Sequence, residues 1–438
     1  MSSVLLIADS DSQLLYCEAL AREHAAHGVN LTINLIPREG TPEAVKRRMH
    51  QLAEVQERSM GALLQDPELS RYSAIGVFLT GSKIAAFRSA YVRSREQHPA
   101  RQALLFCGFN GVVLERFEEG ITWRLGYDLI CLNGPRDETR FHRLVRHTPY
   151  HSQRCVITGL RRSVVTAPPP PMARKRQLVF AEQVAMPSRL EERERLTALL
   201  VAVARRFPDW QIVIKPRVAP HEATFHETGE HIATTLGRIS QARPAGNLTV
   251  SYRPLPELLR ESRLFATVSS TAFFDALDQG CTPLIVADLG VRNDLGTDFF
   301  GGCGLLTELE SLDSLEALVD RSVCPDWLHW VGYDPAFSPA NLFATLRTLQ
   351  DSDPRPCPPE LQQRGYVVNS ADLSSNQLRL NAEEAIAGRD YQEAAKLLEM
   401  AALQRPDNGN IRRRLRAVRT RHRLWRRILL LASPRFKL

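Results

Sequence analysis

Two runs of alternating strand and helix patterns, split by four consecutive prolines, constrain this chain more than any other feature. In the first run, short apolar segments at Val4–Ala8, Leu31–Ile36, Ala74–Leu79, Ala103–Phe106, Leu129–Leu132 and Val156–Thr158 read as strands. Helical stretches at Ser12–His24, Pro42–Leu64 and Lys83–Gln97 lie between the first four of them. This order implies a parallel sheet wrapped by helices, because parallel neighbours need a long crossover connection. Ala167 to Pro171 then breaks the pattern. Proline fits neither a helix interior nor a central strand, so this run reads as a stiff linker.

The alternation restarts with strands at Leu178–Ala181, Gln211–Lys215, Leu248–Ser251, Leu264–Val268 and Pro283–Val286. The intervening helices are Leu190–Arg206, Glu230–Ile239, Leu255–Arg260 and Ala272–Gln279. The predicted class is therefore α/β, with two Rossmann-like domains, 1–165 and 177–350, joined by a linker at 166–176. At 438 residues the chain is too long for one ordinary core. Two such domains are expected to face each other across a cleft lined by the carboxyl ends of their strands, where open α/β sheets bind ligands.

After a polar linker at 351–369, residues 370–408 read as a helical hairpin with Gly388 at its turn and Pro406 as its stop. Tyr391, Ala394, Leu398, Ala401 and Pro406 are spaced as in one tetratricopeptide repeat, although a generic helix pair has a similar pattern. One repeat cannot bury its own face, so a site for the body or a protein partner is expected there.

Net charge is +7, but residues 411–438 hold ten Arg and one Lys with no acidic side chain. Without those eleven, 45 basic side chains face 49 acidic ones, a net of −4. Basicity thus belongs to the tail, and a nucleic-acid-binding body is not implied. The tail, 409–438, interleaves Arg with Leu424, Trp425, Ile428 and Leu430, which suits an anionic membrane surface. At ~1 kcal/mol per basic residue its charge is ample for peripheral attachment. A nucleic-acid arm and a solvated terminus have the same composition. No apolar run approaches the ~20 residues of a membrane-spanning helix. Eight scattered cysteines without a Cys-x-x-Cys pair read as reduced thiols, and the expected location is cytoplasmic, at the inner membrane face.

Three strand ends carry candidate chemistry. Asp9-Ser10-Asp11-Ser12 follows the first strand, where Asp9 or Asp11 can serve as general base and Ser10 can touch an acceptor; Ser10 or Asp11 can instead cap the next helix. Lys215-Pro216-Arg217, with His226 and Glu227 downstream, places cations where a phosphate would sit. His221, His226 and His231 recur every five residues, which is not a zinc spacing, so no metal ligands are assigned. Ser269-Ser270-Thr271 opens a helix after a strand, as an anion site or simply as a cap. Gly81, Ser82 and Asn110 follow other strands of the first run and can contact an acceptor or form plain turns. No Walker motif and no Gly-x-Gly-x-x-Gly occurs. A loop at Leu289–Gly304, rich in Gly and carrying Phe299 and Phe300, reads as a site lining or as an ordinary long loop.

Together these pieces are similar to GT-B glycosyltransferases, and in detail resemble a family of predicted bacterial glycosyltransferases. The matching strings are Ala8–Ser12, Arg124–Asn133, Lys215-Pro216-Arg217 with Glu222–Glu227, Ser269–Ala272 and Leu295–Gly302. A fainter likeness is to transferases of CMP-linked sialic acid and Kdo, in which a His-Pro pair stands where Lys215-Pro216 stands here. By that resemblance Ser269, Ser270 and Thr271 hold donor phosphate, Lys215, Arg217 and His226 assist, and Asp9 or Asp11 deprotonates the acceptor. The expected function is metal-independent transfer of a sugar, such as Kdo or a nonulosonate from a CMP donor, to a glycan or glycoprotein, with no further cofactor. The rivals are a transferase or epimerase using a UDP or GDP sugar, and a non-catalytic scaffold.

Overall fold

The computed structural model describes residues 3–36, 43–79, 81, 83–96, 103–109, 111–114, 117–146, 148–160, 169–183, 186–217, 231–240, 245–352, 375–405 and 408–436. It divides into two compact units, Met1–Gly159 with Pro335–Leu438, and Leu160–Asp334.

The first unit holds a parallel sheet of β1 (Ser3–Ala8), β2 (Asn30–Leu35), β3 (Glu54–Glu57), β4 (Ala74–Phe78), β5 (Leu104–Gly108), β6 (Leu129–Leu132) and β7 (Cys155–Ile157). Their order is β3-β2-β1-β4-β5-β6-β7. The helices between them are α1 (Asp11–Glu23), α2 (Glu43–Leu52), α3 (Met60–Leu64), α4 (Lys83–Glu96), α5 (Phe117–Thr122) and α6 (Pro135–Val145). Alternate residues of β1 supply both faces of the sheet. Val4, Leu6 and Ala8 join one core with Leu14, Cys17 and Leu20 of α1. Leu5 and Ile7 join the other with Ile84, Phe87 and Tyr91 of α4 and Phe141 and Val145 of α6.

The second unit repeats the plan with β8 (Lys175–Ala181), β9 (Gln211–Lys215), β10 (Leu248–Val250), β11 (Ser262–Thr267), β12 (Thr282–Val286) and β13 (Leu306–Thr307), in the order β10-β9-β8-β11-β12-β13. Its helices are α7 (Leu190–Arg206), α8 (Ile232–Ser240), α9 (Leu255–Glu261), α10 (Ala272–Asp278), α11 (Glu316–Val319) and α12 (Pro325–Val331). Both sheets are thus all-parallel and doubly wound.

The structure moves both predicted domain boundaries. The divisions fall at Gly159/Leu160 and Asp334/Pro335, against the expected 165 and 350. Helix α13 (Pro339–Asp351) belongs to the first unit, where Leu342, Phe343, Leu346 and Leu349 enter the same core as Val4 and Leu6. An apolar helical stripe does not announce which sheet it will cover, and sequence order alone assigns it to the wrong one. The predicted helix Pro42–Leu64 is also broken, by β3. This edge strand, Glu54-Val-Gln-Glu57, is short and polar, as edge strands that avoid aggregation tend to be.

The C-terminal region forms α14 (Ser375–Ala387), α15 (Tyr391–Gln404), α16 (Gly409–Arg419) and α17 (Arg423–Ala432). Leu378 and Ala382 of α14 pack with Ala394, Leu398 and Ala401 of α15, and Ile411 and Val418 of α16 cover the pair. The turn keeps Gly388, but the left-handed residue is Arg389, at φ 64°. The single basic helix expected over the tail is two helices, separated at Thr420 to His422.

Gly76, in the middle of β4, has no room for a side chain: a Cβ there would lie 2.5 Å from the Phe106 ring and 2.8 Å from Leu6. Gly76→Ala is expected to destabilise the protein by about 1–3 kcal/mol, the usual cost of overpacking a core. A denaturant melt checks this, and an unchanged midpoint would contradict it.

Candidate functional site

Where strand order reverses in a doubly wound sheet, two neighbouring strand ends are left uncovered by crossovers, and their loops splay apart. In the first unit these are the ends of β1 and β4. Asp9 follows β1, is only 1% exposed, and accepts a 2.8 Å hydrogen bond from Lys83 at the start of α4. Gly81, in the turn that leads to Lys83, takes the left-handed conformation, at φ 54°. Ser10 is the N-terminal boundary residue of α1, yet its hydroxyl bonds to Gln13 and caps no backbone N–H. Asp11 is the first residue of that helix. Asp9, Ser10, Asp11, Gly81 and Lys83 are therefore brought together at one switch point. Lys83 closes the strand-end string Thr80–Lys83, which in sequence reads as an acceptor contact or a plain turn, but its pairing with Asp9 comes only from the strand order. Ser82 and Asn110 lie outside the described residues.

The resembling string Arg124–Asn133 proves to be bracing. Arg124 is buried and donates to the carbonyls of Gly108 (3.0 Å) and Gly120 (2.6 Å), with Phe109 under its guanidinium. Arg88 donates to the Gly126 carbonyl at 2.6 Å, and Tyr127 to that of Ile84 at 2.7 Å. These bonds tie the segment to carbonyls of β5, α4 and α5, and its own Gly126 carbonyl to Arg88 of α4.

In the second unit the switch lies between β8 and β11. Gln183, just past β8, bridges it. Its Oε1 accepts from the Ser269 backbone N–H (2.8 Å) and its Nε2 donates to the Ser269 hydroxyl (3.3 Å). Ser269 is thus buried and committed to holding the loop. Ser270 Oγ accepts from the Ala272 N–H at 3.2 Å, the capping role, while Thr271 is exposed without a side-chain cap bond. Of the predicted hydroxyl trio, Thr271 is the exposed one and Ser270 is half-buried.

Beside this switch, Glu182 is held among cations. Arg193 of α7 lies 3.7 Å from its carboxylate, and Lys215 also attracts its charge. Burial nevertheless dominates and raises its pKa above the ordinary carboxylic value. Lys215, at the end of β9, donates to the Pro216 carbonyl at 2.6 Å, and Arg217 is exposed. His231, just before α8, accepts from the Ala233 N–H at 3.1 Å. Glu182, Gln183 and Arg193 were not legible as site residues: none stands in a motif, and only the strand order puts them beside Lys215 and Ser269. His226 and Glu227 lie outside the described residues. The Phe299–Phe300 loop packs inward, both rings contacting Trp327 and Phe300 also contacting Phe273.

Glu138 and His142 on α6 and Cys155 on β7 bring their donor atoms within 4.8 Å of one another, a partial ligand set that the histidine spacing did not foretell. Burial pushes the Cys155 thiol up to about 12. The trio sits at the β7 edge, with β4, β5 and β6 between it and the end of β1.

Fold and strand ends define a protein of two Rossmann-like domains, each with a polar constellation at its switch point. The chain belongs to the family described as "Putative glycosyltransferase (DUF6716)", whose profile matches residues 4–349. No curated protein matches it. Among solved structures it is similar to the calicheamicin glycosyltransferase CalG4 at 14% identity, covering 79% of this chain and 97% of that one, with a TM-score of 0.44. Arabidopsis thaliana UGT89C1 complexed with UDP gives 11%, 79%, 99% and 0.49 in the same order. The UDP-GlcNAc 2-epimerase of Neisseria meningitidis bound to UDP-GlcNAc gives 10%, 80%, 99% and 0.48. Likeness at this level transfers no residue roles.

Because the folded state binds the Glu182 proton more tightly than the unfolded state, stability falls as pH rises from the unfolded pKa through the folded one. Glu182→Gln is therefore expected to raise the melting temperature at neutral pH and to leave it unchanged in acid, where the native carboxyl is already neutral. Melting curves across pH test this; a lower neutral-pH melting temperature would mean that Arg193 and Lys215 outweigh burial.

Proposed function

We propose that this protein is a glycosyltransferase that takes a nucleotide-linked sugar at the β8/β11 switch of its second domain and transfers it to a hydroxyl of a glycan or glycoprotein. Membership of the family supports the reaction class. The observation that carries the site is the pair of cations Arg193 and Lys215 beside Glu182, one residue from the Gln183 that bonds Ser269 at the start of the Ser270-Thr271 turn. Cations and hydroxyls at a strand-end crevice suit a phosphate.

In the reaction the bond between the anomeric carbon and the donor phosphate oxygen breaks, and the electron pair stays on the phosphate. The acceptor oxygen bonds to that carbon and gives its proton to a general base, for which Asp9 and Asp11 are the candidates on the sequence reading alone. Lys215 and Arg217 offset the charge that develops on the leaving phosphate, with Ser270 and Thr271 as hydroxyl donors; such fixed electrostatic stabilisation is usually the largest single contribution to rate. Lys83 orients Asp9. His226 and Glu227 join the donor side, and Ser10, Gly81, Ser82 and Asn110 the acceptor side, on the sequence reading alone. A CMP-linked acidic sugar is the proposed donor on the resemblance carried by Ser269-Ser270-Thr271; Lys215 in place of the histidine departs from that pattern, and a UDP or GDP sugar is the alternative.

A thermal-shift panel of CMP, UDP and GDP, followed by the matching sugar nucleotides, identifies the donor. Lys215→Ala combined with Ser270→Ala is expected to abolish the shift, and an unchanged shift rejects the site. Asp9→Asn and Asp11→Asn are each expected to keep donor binding, with the true base losing ~10²-fold or more in turnover. If neither loses turnover, the base lies elsewhere.

A further inference from the structure

A helix on the surface of a soluble protein turns its apolar stripe inward. Helix α17 does the reverse. Leu424, Trp425, Ile428 and Leu431 are 61%, 58%, 44% and 77% exposed, and no residue of the helix is buried. On a helical wheel these four fall within about 120° of one another at 100° per residue. Leu430, on the opposite side, is the residue that packs against the hairpin core.

The outward orientation is fixed by contacts on the inner side. Arg414 of α16 is buried, paired with Glu383, and donates to the Leu430 carbonyl at 2.7 Å and to the Ser433 hydroxyl at 2.9 Å. The Arg426 guanidinium lies 3.8 Å from the centre of the Tyr391 ring. These bonds hold α17 against α14, α15 and α16 and leave its apolar face in water. Among the described residues Arg421, Arg423, Arg427 and Arg435 are exposed without an acidic partner, and none of residues 408–436 is acidic. Helix α16 does not share this surface: its Ile411, Ala417 and Val418 are core. The membrane expectation for 411–438 therefore narrows to α17 and its flanks.

We infer that α17 is an interfacial anchor that lays Leu424, Trp425, Ile428 and Leu431 into the headgroup boundary of an anionic bilayer, with Arg421, Arg423, Arg427 and Arg435 on the lipid phosphates. Charge complementarity selects this occupant. A cationic rim around an apolar, Trp-bearing face fits a surface that is negative outside and apolar beneath, and binding draws on both properties. At about 15 Å the ten-residue helix lies on the bilayer and cannot cross it. More broadly, no helix of the described residues is long and apolar enough to cross a membrane.

The full-length protein is floated with phosphatidylcholine vesicles, with and without phosphatidylglycerol. Flotation is expected only with phosphatidylglycerol, weakening with salt, accompanied by a blue shift of tryptophan emission that is absent in Trp425→Phe. The double variant Leu424→Glu/Leu431→Glu, whose positions are exposed, is expected to keep its circular dichroism and melting temperature but to float at least about tenfold less. Arg423→Gln/Arg427→Gln is expected to bind more weakly and with less salt dependence. Absence of wild-type flotation overturns the assignment, as does a Glu variant that floats equally well. A dimer that the Glu variant dissociates, or RNA binding, in the absence of vesicle binding, also overturns it in favour of a different occupant.

Discussion

A parallel sheet that begins in a central strand must build first to one side and then to the other. At the reversal two adjacent strand ends carry no crossover between them. Their backbone groups and first loop residues still need partners, because unsatisfied buried polar groups are costly. Each sheet here meets that need with polar side chains: Asp9 with Lys83 in the first, and Gln183 with Ser269 in the second. The same requirement that stabilises the loops concentrates charge and hydrogen-bonding capacity where a ligand can reach it.

The two switch points differ in what they have left to offer. In the first, a nearly inaccessible carboxylate is tied to a lysine that is itself half in solvent. In the second, Gln183 takes both the N–H and the hydroxyl of Ser269, and the neighbouring Glu182 has Arg193 and Lys215 beside it at a strand end. A carboxylate kept there against the pull of burial toward its neutral form is a cost to folding, which is the sort of arrangement that functional sites retain.

Most of the strands were legible because buried parallel strands are continuous apolar runs, and Leu129–Leu132 and Gln211–Lys215 fall where expected. The edge strands β3 and β13 were not, since one is polar and the other two residues long. Helix α13 was legible as a helix and misplaced as to domain, because its partners Val4 and Leu6 lie more than three hundred residues upstream. At the site, Asp9, Lys215 and the serines could be seen as polar residues ending apolar runs. Glu182, Gln183, Arg193 and the pairing of Lys83 with Asp9 could not, because these come from strand order and not from local pattern. The tail shows the same limit: its composition gave arginine and leucine together, and only packing separates core α16 from exposed α17.

The central claim, that a nucleotide-sugar donor occupies the switch point of the second domain, is tested most directly by hydrogen–deuterium exchange with and without the nucleotide that gives the largest thermal shift. Protection is expected in peptides covering residues 181–183, 215–217 and 268–272. Protection absent from all three, with the nucleotide demonstrably bound, would place the donor elsewhere and contradict it.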